Sequence, residues 1–217
     1  MPDTLAQEPK YEQTAMLQWG EIERASTAAD KEGEFASAVA VPPATVALWT
    51  ILASVVMLFA GFTSAYLVRR AGPDWLPIYA PPILWWNTAI LLFSSFSLEV
   101  AKGCRKLHRP AAFRWWLLAA AGLGVAFLVG QWVAWRELAA QGIFLPTSPH
   151  SSFFYMLTAV HGVHVMGGMA GLVYVLRRRW SDACQPMPAD PVSLCATYWH
   201  FVTGIWIYLY WLLFVWR

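Results

Sequence analysis

Four ionisable side chains stand inside long apolar stretches of this sequence: Glu99, His161, His164 and His200. Such groups are expensive in lipid and mark functional sites by default. His161 and His164 are three residues apart, so on a helix they share a face. With His200 brought opposite, two chemistries are open. One is ligation, of a b-type haem between two histidines or of a metal ion. The other is neutral hydrogen bonding across helices, the polar glue of membrane bundles. Glu99 lies near the end of its stretch. It reads as a group that snorkels to the inner surface, where protons are exchanged, or that pairs with a neighbouring helix.

The elements that position these groups follow from hydropathy. A bilayer core about 30 Å thick takes about 20 apolar residues in a helix. Five segments qualify: 46–68, 83–101, 115–135, 152–176 and 192–216. Only Glu99 interrupts them with an Asp, Glu, Lys or Arg, and none contains proline. Helices satisfy their own backbone in lipid, and the alternating ten-residue segments of a barrel are absent. The expected fold is therefore all-α, a polytopic membrane protein with a five-transmembrane-helix bundle. At the rise of a helix, His164 lies about 18 Å into the fourth span and His200 about 12 Å into the fifth from the opposite side. Both then fall near one level, with Glu99 closer to the inner edge.

Composition agrees. Charged residues make up 13% of the 217 residues, against about 25% in a soluble domain. There are 14 Trp, and mean hydropathy is +0.45. These values exclude a disordered chain, a nucleic-acid binder and a disulfide-stapled module. Eleven Lys and Arg fall in the N-terminal tail, the Lys102–Arg114 loop and the Arg177–Arg179 loop, against four on the other side. Positive residues stay inside, so the N-terminus is expected in the cytoplasm and the C-terminus outside. The inner basic residues Lys102, Arg105, Lys106, Arg109, Arg177, Arg178 and Arg179 are candidate contacts for anionic lipid headgroups. Trp85, Trp86, Trp115, Trp116, Trp135, Trp180 and Trp216 sit at span ends, the usual place of interfacial tryptophan.

Residues 1–43 read as a separate polar, acidic tail without the apolar core of a signal peptide. Ala15, Leu17, Trp19, Ile22 and Ala25 suggest a short helix with one apolar side, a mobile tail or a docking arm for a partner subunit. The membrane domain is then 44–217. Cys104, Cys184 and Cys195 form no CxxC pair. The small-residue pairs Gly61/Ala65, Gly122/Ala126 and Gly167/Gly171 are candidate close-packing faces. Ser94, Ser95 and Ser97 are placed to hydrogen-bond to neighbours or to their own helix. No phosphate loop, dinucleotide fingerprint, HExxH or Ser/His/Asp constellation is present, and unbroken spans argue against a transporter.

The stretch Phe153–Gly168, FFYMLTAVHGVHVMGG, resembles a signature of subunit III of the haem–copper oxidases. Tyr198-Trp199-His200-Phe201-Val202 followed by Trp206 resembles the signature of that family's last helix, and Asn87–Leu92 with Ser94-Ser95 its "NT-LLL-SS" helix. Gly61-Phe62, Ala65-Tyr66 and Gln131 match weaker positions. The resemblance spans about residues 46–217 and corresponds to the short, five-helix form. It implies a non-catalytic subunit, part of an oxidoreductase complex, in a bacterial cytoplasmic membrane. This subunit packs on subunit I beside subunit II and small subunits, holds phospholipids, and supports proton uptake and lasting turnover. Haem and copper belong to the partners. No catalytic, cofactor or metal residue is then expected here, and Asn87, Gln131, His161, His164, Tyr198, Trp199 and His200 become structural polar residues. Three acids of the family pattern are replaced: Ser54–Val56, Ala134 and Thr203 stand where it carries carboxylates. The electron donor, cytochrome c or quinol, is not readable, nor is a supercomplex with a cytochrome c- or quinol-oxidising complex. Subunit III of a quinol oxidase and an accessory subunit of a nitric-oxide reductase system remain alternatives, and a membrane b-type cytochrome is the alternative of another class.

Overall fold

The computed structural model describes residues 18–27, 42–79, 81–180 and 190–216, without the side chains of 178–180. The chain divides into two units, 1–42 and 43–217. In the first, residues 18–27 form a helix, α1. Trp19 and Ile22 are exposed, and the hydroxyls of Ser26 and Thr27 donate to the Glu23 carbonyl. Ala15 and Leu17 lie outside the described residues.

The second unit is five long helices: α2 (Pro43–Arg70), α3 (Ile83–Lys106), α4 (Pro110–Ala140), α5 (Pro149–Trp180) and α6 (Pro191–Tyr210). All five are long and apolar enough to cross a membrane. Four of them begin on proline, whose fixed φ and missing N–H suit the first helical position. Asp190 caps α6 by accepting from Val192 N at 3.1 Å. Ser148 and Ser151 cap α5 reciprocally: Ser151 N donates to Ser148 Oγ at 3.1 Å, and Ser148 N to Ser151 Oγ at 2.9 Å.

The helices outrun the apolar spans, because polar residues at their ends continue the backbone ladder beyond the hydrocarbon. This corrects two loops. Lys102, Arg105 and Lys106 belong to α3, and 177–179 belong to α5. Only Leu107–Arg109 separates α3 from α4. There His108 adopts φ 54°. Arg109 N donates to Cys104 O at 2.9 Å and His108 N to Arg105 O at 3.1 Å, the paired bonds of a Schellman motif. α4 ends the same way on Gly142, φ 78°, with Ile143 N on Leu138 O and Gly142 N on Ala139 O, each at 3.0 Å.

The buried faces of α3 and α4 repeat at alternating intervals of three and four. Leu84, Asn87, Leu91, Ser94, Leu98 and Ala101 line α3; Phe113, Leu117, Ala120, Gly124, Phe127, Gln131, Ala134 and Leu138 line α4. This is the seam of left-handed helix packing. The core continues into Phe154, Leu157, Val165 and Leu172 of α5 and Trp199, Trp206 and Leu209 of α6.

After Tyr210 the last span widens into a π-turn, Trp211–Val215, closed by Trp216 N on Trp211 O at 2.9 Å. The carbonyls of Leu212 and Leu213 find partners elsewhere. Tyr66 Oη of α2 donates to Leu212 O at 3.4 Å, and His150 Nε2 donates to Leu213 O at 3.2 Å. His150 also accepts from Ile78 N at 2.9 Å and stacks on Trp75, ring centroids 5.0 Å apart. Although it lies outside the five apolar stretches, His150 is 3% exposed and ties the α2–α3 connection to Leu213.

Candidate functional site

The residues singled out by sequence form one polar seam and two separate buried groups. The seam joins α3 to α6. At its end, Arg105 makes a two-pronged ion pair with Asp190, the α6 cap. Burial alone would raise the Asp190 carboxyl, but the hydrogen bonds and charge of Arg105 outweigh it and hold the group below the ordinary aspartate value. Further in, Lys102 Nζ donates to Glu99 Oε1 at 2.8 Å. His200 Nε2 donates to the same oxygen at 2.6 Å, and the His200 Nδ1–Ser95 Oγ distance is also 2.6 Å. Ser95 Oγ lies 3.4 Å from Thr203 Oγ1, which donates to the Trp199 carbonyl at 2.9 Å. Nearer the opposite end, Trp206 Nε1 donates to Thr88 Oγ1 at 3.0 Å. Glu99 thus pairs helices. His200 answers both α3 groups that its depth makes reachable.

His161 and His164 face other neighbours. His161 is fully buried between the rings of Phe127 (5.7 Å) and Trp206 (5.2 Å). His164 Nδ1 donates to its own helix at Val160 O, 2.8 Å, and its ring meets Phe59 of α2. Tyr198 Oη donates to the His164 carbonyl at 3.1 Å. The three imidazoles therefore address α4 and α6, α2, and α3 respectively, and not a shared centre. Among the described residues no three His, Cys, Asp or Glu groups converge on one point.

Asn87, Gln131 and Trp199 lie in the core. Asn87 presses its amide against Gly130 of α4, where a Cβ would overlap Oδ1. Trp199 occupies the gap between Gly124 of α4 and Gly168 of α5. Among the described residues, Asn87 Nδ2, both polar atoms of Gln131, both His161 ring nitrogens and Trp199 Nε1 are buried without a hydrogen-bond partner in the chain. The small-residue pairs behave differently from expectation. Gly61 and Gly122 meet nothing within 4 Å, while Gly167 and Gly171 touch Tyr198 and Cys195. Spacing identifies small residues but not the face they occupy. Of the serines, Ser94 reaches Ala120 O on α4 at 2.9 Å, and Ser97 bonds back to Phe93 O.

A family model described as cytochrome c oxidase subunit III matches residues 13–217. The chain belongs to the cytochrome c oxidase subunit III family. It is similar to a protein of Mycobacterium tuberculosis (strain ATCC 25618 / H37Rv) named "Probable cytochrome c oxidase subunit 3", 32% identical over 77% of this chain and 86% of the relative. The cytochrome c oxidase subunit 3 of Thermostichus vulcanus is 32% identical over 77% of this chain and 85% of its own length. The chain is therefore a multi-pass membrane subunit of a haem–copper oxidase and associates with other oxidase subunits.

The seam between α3 and α6 joins Arg105 to Asp190, and Ser95 and Glu99 to His200. Its chemistry is charge pairing and proton-bearing hydrogen bonds between helices. Sequence reasoning missed Thr203, seen there only as a lost acid, and Ser95 as the link between it and His200. The signal was available: Ser95 lies four residues before Glu99, and Thr203 three after His200, which places each pair on one face.

The outer surfaces carry the remaining groups. Lys106, Arg109 and Arg177 are exposed, whereas Lys102 and Arg105 are engaged in ion pairs. At the other end of the bundle, Arg69 pairs with Asp74, Arg70 lies over Trp216 and Arg136 over Trp132. There a cleft of about 1050 Å³ opens between α2 and α5, lined by Gly61, Ser64, Ala65, Val68, Arg69 and Phe153 among others.

Proposed function

We propose that this chain is the accessory subunit that packs on the catalytic subunit I of its oxidase, holds phospholipid, and supports proton uptake and lasting turnover. The cleft between α2 and α5 carries the lipid part of this reading. Its lining joins the small residues Gly61 and Ala65 of α2 to Phe153 of α5, and Arg69 in the same lining is paired with Asp74. An acyl chain suits the small and apolar part of this lining. Its size reaches the upper range of small-molecule sites. The exposed residues Lys106, Arg109 and Arg177 suit anionic headgroups at the opposite face, which we read as cytoplasmic from the Lys/Arg distribution. The N-terminus is then inside and the C-terminus outside, in a bacterial inner membrane.

The test is the purified oxidase carrying Ala65→Trp, which fills the cleft. Native mass spectrometry should show at least one phospholipid fewer per complex, with subunit stoichiometry intact and faster loss of activity during turnover. Unchanged lipid number and unchanged turnover lifetime would contradict the lipid-holding role.

A further inference from the structure

We propose that Glu99, His200, Ser95 and Thr203 form a proton-loading site, in which the Ser95 hydroxyl is the moving part. The inference goes beyond packing and lipid, and its use to the oxidase rests on the proposed supporting role in proton uptake. With His200 neutral, Nε2–H donates to Glu99 at 2.6 Å, and Nδ1 accepts the Ser95 hydroxyl at 2.6 Å. Every proton in the group then has an acceptor. A proton added at Nδ1 turns that atom into a donor. Ser95 must then accept from it, and its own hydrogen needs a new acceptor. Thr203 Oγ1 is 3.4 Å away with its hydrogen already committed to Trp199 O at 2.9 Å, so its lone pairs face Ser95. Both charge states then place an acceptor beside every proton of the group, and the change turns one hydroxyl and closes the 3.4 Å Ser95–Thr203 contact. No other covalent bond forms or breaks.

The chain ends there. Thr203 gives its hydrogen to a carbonyl that cannot pass it on, so the arrangement stores a proton rather than conducting one through the bundle. The pair lies at the surface of the chain beside Lys102, with the side chains of Glu99 and His200 49% and 37% exposed. Among the described residues the charged neighbours are few. On α3, Lys102 shares Glu99, and Arg105 one turn on is bound to Asp190. On α4, Ser94 meets the uncharged Ala120. On the α5 side of α6, Tyr198 binds the His164 carbonyl and Cys195 faces Gly171. Glu99 is thus the anion that offsets an imidazolium here.

The test is ¹⁵N-histidine solid-state NMR of the whole oxidase in nanodiscs between pH 5 and 9, with His200 assigned by difference from His200→Gln. The expected result is a change of His200 from neutral imidazole to imidazolium within that range. Glu99→Gln should lower the proton affinity of His200 about tenfold, by removing the paired anion. Thr203→Val should lower it about fivefold, because only the charged state uses the Thr203 acceptor; Thr203→Ser should restore it. His200 holding one charge state throughout in the unmodified complex would overturn the proposal, and that result needs no variant. Equal proton affinity in Thr203→Val and unmodified complexes would overturn the hydroxyl switch. Neither readout depends on lipid retention or turnover lifetime, so the two readings fail separately.

Discussion

The indole of Trp199 lies where a side chain on Gly168 would stand: a Cβ there would come within 2.9 Å of Trp199 Cε3 and 3.1 Å of Cζ3. On its far edge the same ring is 2.8 Å from a Cβ built on Gly124. One tryptophan of α6 thus fixes the spacing of α4 and α5, and it is 2% exposed. Gly168→Ala and Gly124→Ala should each destabilise the chain by about 1–3 kcal/mol through overpacking. Gly122→Ala, whose Cβ meets nothing within the chain, should instead stabilise by about 0.5–1 kcal/mol, by reducing the freedom of the unfolded backbone.

His108 and Gly142 sit at equivalent positions of two Schellman motifs, both at positive φ. Histidine bears a Cβ penalty in that region and glycine does not. His108→Gly is expected to stabilise by about 1 kcal/mol and Gly142→Ala to destabilise by a similar amount. Thermal unfolding of the two variants in parallel reads both signs.

Replacing His150 by Ala removes two hydrogen bonds and the stack on Trp75. It leaves the Ile78 N–H and the Leu213 carbonyl without these partners. A loss of about 2–4 kcal/mol is expected, with protease sensitivity appearing first in the α2–α3 connection.

Asp190 couples the α6 cap to α3 through Arg105. Its carboxyl is held below the ordinary value of 3.8, so the fold binds the ionised form more tightly than the unfolded chain does. Its stabilising contribution is full above that value and is lost as pH falls through the lower folded value. In Asp190→Asn, the thermal midpoint of the complex should fall less steeply below pH 4 than in the unmodified chain. Equal slopes would dissociate Asp190 from the acid limb.

The five spans were legible because lipid imposes length and apolarity on each helix independently of its neighbours. Helical rise put His164 and His200 near one level with Glu99 closer to the inner edge, yet His200 bonds to Glu99 at 2.6 Å while His164 turns to Val160 O of its own helix. What stayed hidden depends on contacts distant in sequence. His150 looks like a loop residue until Leu213 is beside it. The π-turn has no signature apart from the donors that take its free carbonyls. Gly124 and Gly168 differ from Gly61 and Gly122 only in which face meets Trp199. Arg105 looked available for headgroups because Asp190, 85 residues away, was invisible as its partner.

The most direct test is affinity purification of the chain from its native membrane in mild detergent, with mass spectrometry of its partners and a reduced-minus-oxidised spectrum before and after the chain is stripped away. Our reading predicts a large haem–copper subunit in the preparation, and haem that stays with that subunit while the stripped chain has none. A lone polypeptide that keeps a b-type spectrum would contradict it.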